Sequence, residues 1–473
     1  MSRLPVEPRW LAALARSARV RPPEKATAAN PRFARGRLVA ILVAAAALLG
    51  AARRASAEQT LLKSEGGWEV FINGRVGGFA TAVTGDGYPQ TACDAAGGVR
   101  HTIAGGAGFN FRAERAIAIP NTACYTQGTI QGSRVSSGFV PNVFGFGLRR
   151  NITPWTTVTA YIAVWHAIET ESRRKYRENF PDVREGYVRL DGLWGSLLVG
   201  RALTLFSRGA TEIDFLYGHG FGVGNPSGYD THGPSAGHVG FGVLANGFAA
   251  GIAYATPPIK GLQLTVGYYD PVTADGIAWE RTKWGQTQGE LTWDRRLGAL
   301  GRLRLFANGG WQLLYKPNND TDRANVYGVG YGGRVELGPA RLGVAGHWGH
   351  GIGLFYAFDF GESVVERAQN TFKFRNFDGY YVQSQVKIRK FDLSAGWGIT
   401  RMFLLQEDVF PDPVTMQPVN SLPMQQMGFS CGVFYHHTDY LIFGADYFLA
   451  QIKWWLDEQQ TLNTFNVGTT LLF

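Results

Sequence analysis

Apolar and polar residues alternate along much of the chain after residue 58. Near the C-terminus, Phe465, Val467 and Leu471 fall on one side of an extended strand, and Thr464 and Asn466 fall on the other. A period of two indicates a β-strand whose successive side chains point to opposite faces. No segment in this part of the chain keeps an apolar period of 3.6 residues, so we expect an all-β protein.

Sixteen segments of this kind follow one another along the chain. The clearest run about nine to thirteen residues, longer than the ~5–6 of soluble strands and close to the ~9–11 needed to cross a bilayer. Their apolar faces carry Trp and Tyr near the ends, as membrane-interface girdles do. The sequence predicts spanning strands near 68–81, 138–149, 155–166, 183–190, 194–201, 247–255, 261–270, 286–295, 301–314, 325–337, 340–348, 377–389, 391–403, 425–435, 439–452 and 461–473.

The connections between these segments alternate in length. Turns such as 150–154 and 338–339 are short, whereas 82–137 and 202–246 are long. Short turns on one side and long loops on the other are typical of outer-membrane barrels. We therefore expect one closed transmembrane antiparallel β-barrel of about 16 strands, with both chain ends on the periplasmic side. Eighteen strands is the alternative, because Asn246-Gly247 is also a hairpin-turn signal.

Charged residues within the predicted strands indicate which face meets the lipid. A Lys or Arg on the lipid face costs roughly 2–4 kcal/mol at the bilayer midplane. Arg304, Arg334, Lys387 and Asp446 are therefore expected to face the lumen. Side chains cannot fill a barrel of sixteen strands, so the lumen should hold a water-filled channel.

The first 57 residues have the order of a secretory signal peptide. An apolar run at 38–52 follows several arginines, and Ala55-Ser56-Ala57 offers a small-residue cleavage site. The run is shorter than the ~20 residues that a spanning helix needs. We expect cleavage after Ala57, so that residues 1–57 are a leader with a long basic n-region and residues 58–473 form a single barrel domain.

The balance of charge changes once the leader is removed. The whole chain holds 46 Lys and Arg and 37 Asp and Glu, of which residues 1–57 hold eleven and two. The remaining 35 of each sign make the mature chain neutral. Net charge therefore gives no support for nucleic acid as a partner.

Three stretches have counterparts in a known family. Leu193-Trp-Gly-Ser-Leu-Leu-Val-Gly-Arg201 resembles a strand ending in Gly-Arg before a third loop, Ala255-Thr-Pro-Pro-Ile-Lys-Gly-Leu262 resembles a Pro-containing turn, and the terminal Phe473 resembles a barrel-assembly signal. Through them, residues 66–473 resemble the general diffusion porins of Gram-negative outer membranes. The resemblance implies passive diffusion of small polar solutes and ions. The partners it implies are outer-membrane lipid, the barrel-assembly machinery and further copies of the chain in a homotrimer.

The third loop of that family folds into the barrel and forms a constriction, where acidic residues face arginines on the wall. Here the resemblance makes residues 202–246 the third loop. Its acidic residues would face arginines at the loop's root and on the wall below, and the opposed charges would orient water and polar solutes. The candidate constriction residues are Arg201, Glu212, Asp214, Arg304, Arg334 and Arg134. Because the mature chain is neutral, we expect only a mild ion preference.

The chain has three cysteines. Cys93 and Cys124 lie in the first long loop and would meet an oxidising compartment, so they are a candidate disulfide. Their spacing does not fix the geometry of a bridge, so free thiols stay the alternative. Cys431 is expected to be free, as a small apolar residue on the lipid face of the fourteenth strand.

Motifs for covalent chemistry lack their structural context. Gly233-Pro-Ser-Ala-Gly237 matches a nucleophile elbow but lies in a Gly/Pro-rich loop, without the strand and helix such an elbow needs. Gly328-Val-Gly-Tyr-Gly-Gly333 matches a phosphate-binding pattern but lies inside a predicted strand. His347 and His350 have no acidic neighbour at metal-ligand spacing. We therefore expect no enzymatic activity, no cofactor and no metal site.

Other functions remain open beside passive diffusion. A sugar-selective channel would present a line of lumen aromatic residues, for which the candidates are Tyr269, Phe306, Tyr381 and Phe434. A receptor or adhesin would use the long loops for binding. An outer-membrane hydrolase would need a serine beside a histidine and an acidic or amide partner. Single-channel conductance separates the passive and sugar-selective channels, which conduct, from the receptor and the hydrolase, which do not.

Overall fold

The structure is a computed structural model, and the part of the chain that it describes is almost entirely β-strand. The described residues are 58–86, 129–138, 142–166, 182–219, 236–271, 284–316, 319–355, 357–358, 364–366, 372–405, 423–454 and 458–473. The expected leader at 1–57, Cys93 and Cys124 lie outside these residues. Within them, no helix has the length and apolar character needed to cross a membrane.

In the described residues, twenty strands, two short α-helices and one 3-10 helix at Gly298–Leu300 follow each other. The strands are β1 Glu58–Lys63, β2 Glu69–Asp86, β3 Thr129–Ser136, β4 Asn142–Thr153, β5 Thr156–His166, β6 Asp182–Gly192, β7 Gly195–Leu203, β8 Phe248–Ala255, β9 Leu262–Tyr269, β10 Gln286–Arg296, β11 Arg302–Lys316, β12 Asn319–Leu337, β13 Ala340–His350, β14 Val364–Glu366, β15 Phe372–Phe374, β16 Asn376–Ile388, β17 Phe391–Phe403, β18 Pro423–His436, β19 Leu441–Trp454 and β20 Gln459–Leu472. The helices, α1 Arg208–Ile213 and α2 Phe215–His219, lie between β7 and β8.

The antiparallel pairings close into a barrel with sixteen wall positions. Each wall strand pairs with the next, and β20 pairs back onto β2. β3 and β4 share one position, because β3 pairs with the second half of β2 and β4 with its first half. β1 pairs with the start of β2 on the side where β20 ends, so it adds no separate position. The predicted count of sixteen is confirmed.

The barrel is sealed where the chain end meets its first long strand. The backbone N–H of Gly74 donates to the carbonyl of Phe473 at 2.7 Å, and the N–H of Phe473 donates back at 3.0 Å. The Phe473 ring packs against Phe144, with 5.2 Å between the ring centroids. A Cβ on Gly74 would lie 2.2 Å from the carbonyl oxygen of Val143, so only glycine fits at this closure.

The outward face is apolar, as the alternation predicts. Val467 and Phe465 on β20 are exposed, while Thr464 and Asn466 on the same strand are buried. Trp155 and Trp194 are exposed at the short turns, and Trp284 and Trp348 are exposed at the opposite rim. These two groups of indoles form the interfacial girdles expected of a transmembrane barrel.

The charged strand residues have the opposite orientation. Arg304 on β11 and Arg334 on β12 lie directly opposite each other in the register. On β11, Arg304 stands between the outward-facing Leu303 and Leu305, so it points to the lumen. Asp446 is buried on the lumen face of β19. Lys387 lies two residues after the buried Gln385 and therefore on the same lumen face of β16. The prediction that these four residues face the lumen is confirmed.

Cys431 lies on the outward face of β18, between the exposed Phe429 and Val433. It is a free thiol, as expected for a small apolar residue that faces lipid.

Candidate functional site

The predicted third loop, 202–246, corresponds to residues 204–247 between β7 and β8, of which 204–219 and 236–247 are described. The two ends of this loop three are tied together. The N–H of Thr204 donates to the carbonyl of Gly247 at 2.9 Å, and the Asn246 amide donates to the carbonyl of Thr204 at 3.1 Å. The Ser207 hydroxyl donates to the carbonyl of Leu244 at 2.7 Å. These bonds hold the two arms of the loop side by side where they enter the barrel.

Polar side chains on the lumen face of the wall receive the backbone of this loop. The Gln288 side-chain oxygen accepts from the N–H groups of Leu205 at 2.9 Å and Phe206 at 2.8 Å. The Gln383 side-chain oxygen accepts from the N–H of Phe215 at 2.5 Å. Buried backbone donors need such partners because water is excluded there. The described parts of loop three therefore contact the lumen face of the wall.

Glycines let the loop backbone touch the wall. Gly242 has a φ of +96°, and a Cβ there would lie 2.4 Å from the carbonyl oxygen of Tyr380. On the wall, a Cβ on Gly398 would lie 2.0 Å from the carbonyl oxygen of Phe241. Gly328 likewise leaves room for the Phe206 ring, so the space beside this strand glycine is filled by loop three. Close contact between two backbones is what requires glycine at these positions.

A chain of alternating charges runs from the wall through α1 and back to the wall. Arg208 is bound to Glu290 of β10, with its Nε 3.1 Å from the carboxylate, and its Nε lies 3.8 Å from Glu212 one turn further along. Glu212 in turn contacts the guanidinium of Arg304 on β11. Burial lowers the pKa of Arg208, but the Glu290 and Glu212 carboxylates outweigh it and raise that pKa above its usual value. The network fixes α1 against the wall.

Further arginines continue this network toward the short turns. Arg302 lies directly opposite Glu336 in the register and makes a two-point contact with Asp294. Nη2 of Arg334 lies 3.0 Å from the Glu336 carboxylate. The wall below α1 is thus rich in arginine but largely charge-paired.

The candidate constriction residues Glu212, Arg304 and Arg334 are therefore brought together on one side of the lumen. Glu212 and Arg304 touch directly, instead of facing each other across an open gap as expected. Their side chains are 39% and 27% exposed, so water still reaches the pair.

Asp214 has a different role from the one expected. Its side chain is sealed from solvent and accepts from the N–H of Leu216 at 3.0 Å, of Tyr217 at 3.2 Å and of His238 at 2.7 Å. The prediction that it supplies negative charge to the pore is wrong. Asp214 instead caps α2 and joins the two arms of loop three, because a buried carboxylate is stable only with several donors.

His238, which no sequence motif indicated, completes this contact. Its Nδ1 lies 3.3 Å from Asp214 and its Nε2 lies 2.8 Å from the hydroxyl of Ser430 on β18. The order Ser–His–Asp resembles that of hydrolases. All three side chains are buried, and the group fastens loop three to the wall.

Arg201 and Arg134 do not join the cluster. Arg201 lies two residues beyond the exposed Val199 and therefore on the same outward face of β7, and its guanidinium lies 3.5 Å from the carbonyl of Val183. The expectation that Arg201 faces the lumen is therefore wrong. The backbone of Arg134 pairs with Thr81, and its side chain lies outside the described part of the structure.

The four aromatic candidates face inward but are covered. The Tyr381 hydroxyl donates to the carbonyl of Ala210 at 3.1 Å, and a Cβ on Gly209 would meet the Phe306 ring at 2.4 Å. Tyr269 and Phe434 are also buried. These rings support loop three and do not form an open aromatic line, which counts against the sugar-selective alternative.

A second connection also enters the barrel, which the sequence did not indicate. Phe355, in the segment between β13 and β16, accepts from the N–H of Ala245 at 2.7 Å, and the N–H of Ala357 donates to Ala245 at 2.9 Å. Around these bonds lies an apolar cluster that includes Phe206 and Ile352. Apolar packing between the two loops therefore reinforces the position of loop three.

Comparisons with known proteins agree with this architecture. The outer membrane channel DcaP of Acinetobacter baumannii superposes with a TM-score of 0.59 at 12% identity, over 88% of this chain and 100% of that one. The anion-selective porin from Comamonas acidovorans gives 0.52 at 11% identity, over 86% and 100%. At these identities the likeness concerns the fold. The comparison with curated proteins returned no match.

The sequence itself also matches a family model. The model describes Gram-negative porins and covers residues 44–407, more than half of the chain. Family and fold together point to a channel and not to a catalyst. The protein is a multi-pass outer-membrane channel for passive diffusion, and it belongs to the Gram-negative porin family.

Proposed function

We propose that loop three narrows this channel and that the contact between Glu212 and Arg304 lies at the narrow section, where small polar solutes and ions pass. The observation that carries the proposal is the position of α1, which packs against β11, β12 and β13 on the lumen side. Glu212 projects from α1 onto the wall and keeps access to water. Arg334 lies beside Arg304 on the next strand and belongs to the same lining.

Paired charges at such a section give a particular kind of selectivity. Rings of one sign select ions by sign, whereas here each arginine has a carboxylate close by. We therefore propose a mild ion preference. Polar solutes can exchange hydrogen bonds with the charged groups and their water, while apolar solutes cannot replace the ordered water they displace.

Conductance in planar bilayers, together with the reversal potential in a KCl gradient, tests the proposal. The wild-type protein should give steady ohmic steps. Glu212→Gln removes a negative charge, so permeation should shift toward anions. A unit charge about 10 Å from a permeating ion in water contributes about 0.4 kcal/mol, which corresponds to roughly a two-fold change in permeability ratio.

Glu65→Gln is the matched control, because Glu65 is exposed in the turn between β1 and β2. Equal selectivity and conductance in the two variants would remove Glu212 from the narrow section. A wild-type protein without any conductance would favour the receptor or hydrolase alternatives.

We also propose, from the signal-peptide order of residues 1–57, that the mature protein starts at Glu58. From the family resemblance, we propose that the barrel-assembly machinery recognises the strand ending in Phe473 and that three copies assemble. Sedimentation in detergent measures the mass of the assembly. A single-chain mass under mild detergent conditions would contradict the trimer.

A further inference from the structure

A second polar cluster lies away from the charge network of α1. His219 ends α2 of loop three, Asp392 is the second residue of β17, and His436 ends β18. β17 and β18 are paired, and the N–H of His436 donates to the carbonyl of Lys390 at 2.8 Å. The cluster therefore joins the lower part of loop three to the wall beside a short turn.

Both imidazoles point at the same carboxylate oxygen. Nε2 of His219 lies 3.2 Å from Oδ2 of Asp392, and Nε2 of His436 lies 2.9 Å from it. The possible ligand atoms of the three residues all lie within 4.8 Å of one another. Ligands about 2.0–2.1 Å from a tetrahedral ion are separated by about 3.3 Å, so small movements would place all three around one ion.

The tautomer of His219 favours a cation at this point. Its Nδ1 lies 2.5 Å from the carbonyl oxygen of Phe215, which can only accept, so Nδ1 carries the proton. In the neutral ring, Nε2 then presents a lone pair toward a carboxylate oxygen, which also carries lone pairs. A backbone carbonyl on the far nitrogen is the usual arrangement behind a metal-binding imidazole. The ring is held by stacking on Phe434, with centroids 4.1 Å apart.

Asp392 supplies an independent observation. Its side chain is 4% exposed, yet its Oδ1 has no hydrogen-bond partner among the described residues. A buried carboxylate oxygen without a partner is unfavourable, because it has lost its water and gained no donor in exchange. Coordination of a cation by this carboxylate would offset that loss.

We propose that His219, Asp392 and His436 bind one divalent transition-metal ion of the Zn²⁺ type, with water completing a four-coordinate site. Two imidazoles and a carboxylate suit Zn²⁺ better than Mg²⁺ or Ca²⁺, which prefer oxygen ligands. His436 is 22% exposed at its side chain, which gives the ion a route of entry. The bound ion ties α2 of loop three to β17 and β18.

Isothermal titration of chelator-treated, refolded full-length protein with ZnCl₂ tests the site. We expect one ion per chain, and at least about ten-fold weaker binding in His219→Gln and in His436→Gln. His437→Gln is the matched control, because His437 follows His436 in the same turn and does not belong to the cluster. Circular dichroism of each variant establishes that the barrel has folded.

Cobalt gives a second readout that does not depend on stability. Co²⁺ in the wild-type site should show the intense visible absorption of four-coordinate cobalt, and both cluster variants should lose it. Absence of stoichiometric Zn²⁺ binding by the folded wild type, or equal binding by His436→Gln and His437→Gln, would overturn the proposal. Neither experiment measures conductance, so the result is independent of the function proposed for Glu212.

Discussion

Oδ2 of Asp214 and Nδ1 of His238 lie 3.3 Å apart in a pair that is sealed from solvent and joins two arms of one loop. The carboxylate also accepts backbone N–H groups at the start of α2 and at His238. In Asp214→Asn, an amide NH₂ would face one of these donors and leave it unsatisfied. An unsatisfied buried donor costs about 1–3 kcal/mol.

We therefore expect Asp214→Asn to loosen loop three, so that single channels become noisier and, on average, more conductive. Bilayer recordings measure both properties. Asp439→Asn, at an exposed turn, is the control. Quiet channels of unchanged conductance in Asp214→Asn would mean that this pair does not hold the loop.

Arg304 should influence permeation with the sign opposite to that of Glu212. Arg304→Gln removes a positive charge from the wall, so the permeability ratio should shift toward cations by roughly two-fold, as for one charge at about 10 Å in water. The reversal potential in a salt gradient gives the sign. Arg295→Gln, whose guanidinium packs over the outward Trp293 ring, should not shift it. A shift of the same sign in Glu212→Gln and Arg304→Gln would contradict an electrostatic origin.

Barrel closure should be sensitive to Gly74. In Gly74→Ala the new Cβ would press on the carbonyl of Val143 at 2.2 Å and on the Phe473 ring at 2.8 Å, so closure must shift. We expect slower refolding into detergent and a lower Tm, both followed by circular dichroism. Gly289→Ala is the control, since its nearest neighbour would lie at 3.8 Å. Equal refolding rates for the two variants would count against a critical closure at Gly74.

The reactivity of the cysteines tests which face of the barrel Cys431 occupies and whether Cys93 and Cys124 are bridged. Cys431 faces outward from β18, so in liposomes it should resist a charged, water-soluble maleimide and react once the protein is denatured. Without reductant, denatured protein should show one reactive thiol if Cys93 and Cys124 are bridged, and three after reduction. Three thiols before reduction would rule the bridge out, and fast labelling of Cys431 in liposomes would contradict its lipid-facing position.

The leader can be checked on the exported protein. Mass spectrometry of the protein from the outer-membrane fraction should give an N-terminus at Glu58, because Ala55-Ser56-Ala57 has the small residues that signal peptidase requires. Replacing Ala57 with Phe should leave the uncleaved chain. A mature N-terminus elsewhere would place the boundary of the barrel domain differently.

The sequence by itself determined the wall of this barrel. A period of two is a local property of the chain, and lipid outside a water-filled lumen enforces it on every strand. The orientations of Arg304, Asp446 and Cys431 follow from their immediate neighbours. The lumen position of Arg201 was assigned from the family resemblance and not from this alternation, and the assignment was wrong.

Only the tertiary structure decided what loop three does. Glu212 and Asp214 are two residues apart with the same chemistry, yet one is water-accessible beside Arg304 and the other is buried against His238. The difference arises because Glu212 lies within α1 and faces the lumen, whereas Asp214 follows α1 and caps α2. Glu212 and Arg304 are 92 residues apart, and His219 and Asp392 are 173 apart. The sequence of a glycine-rich loop has no regular period from which such contacts could be predicted. The contacts depend on where the closed wall places its polar side chains.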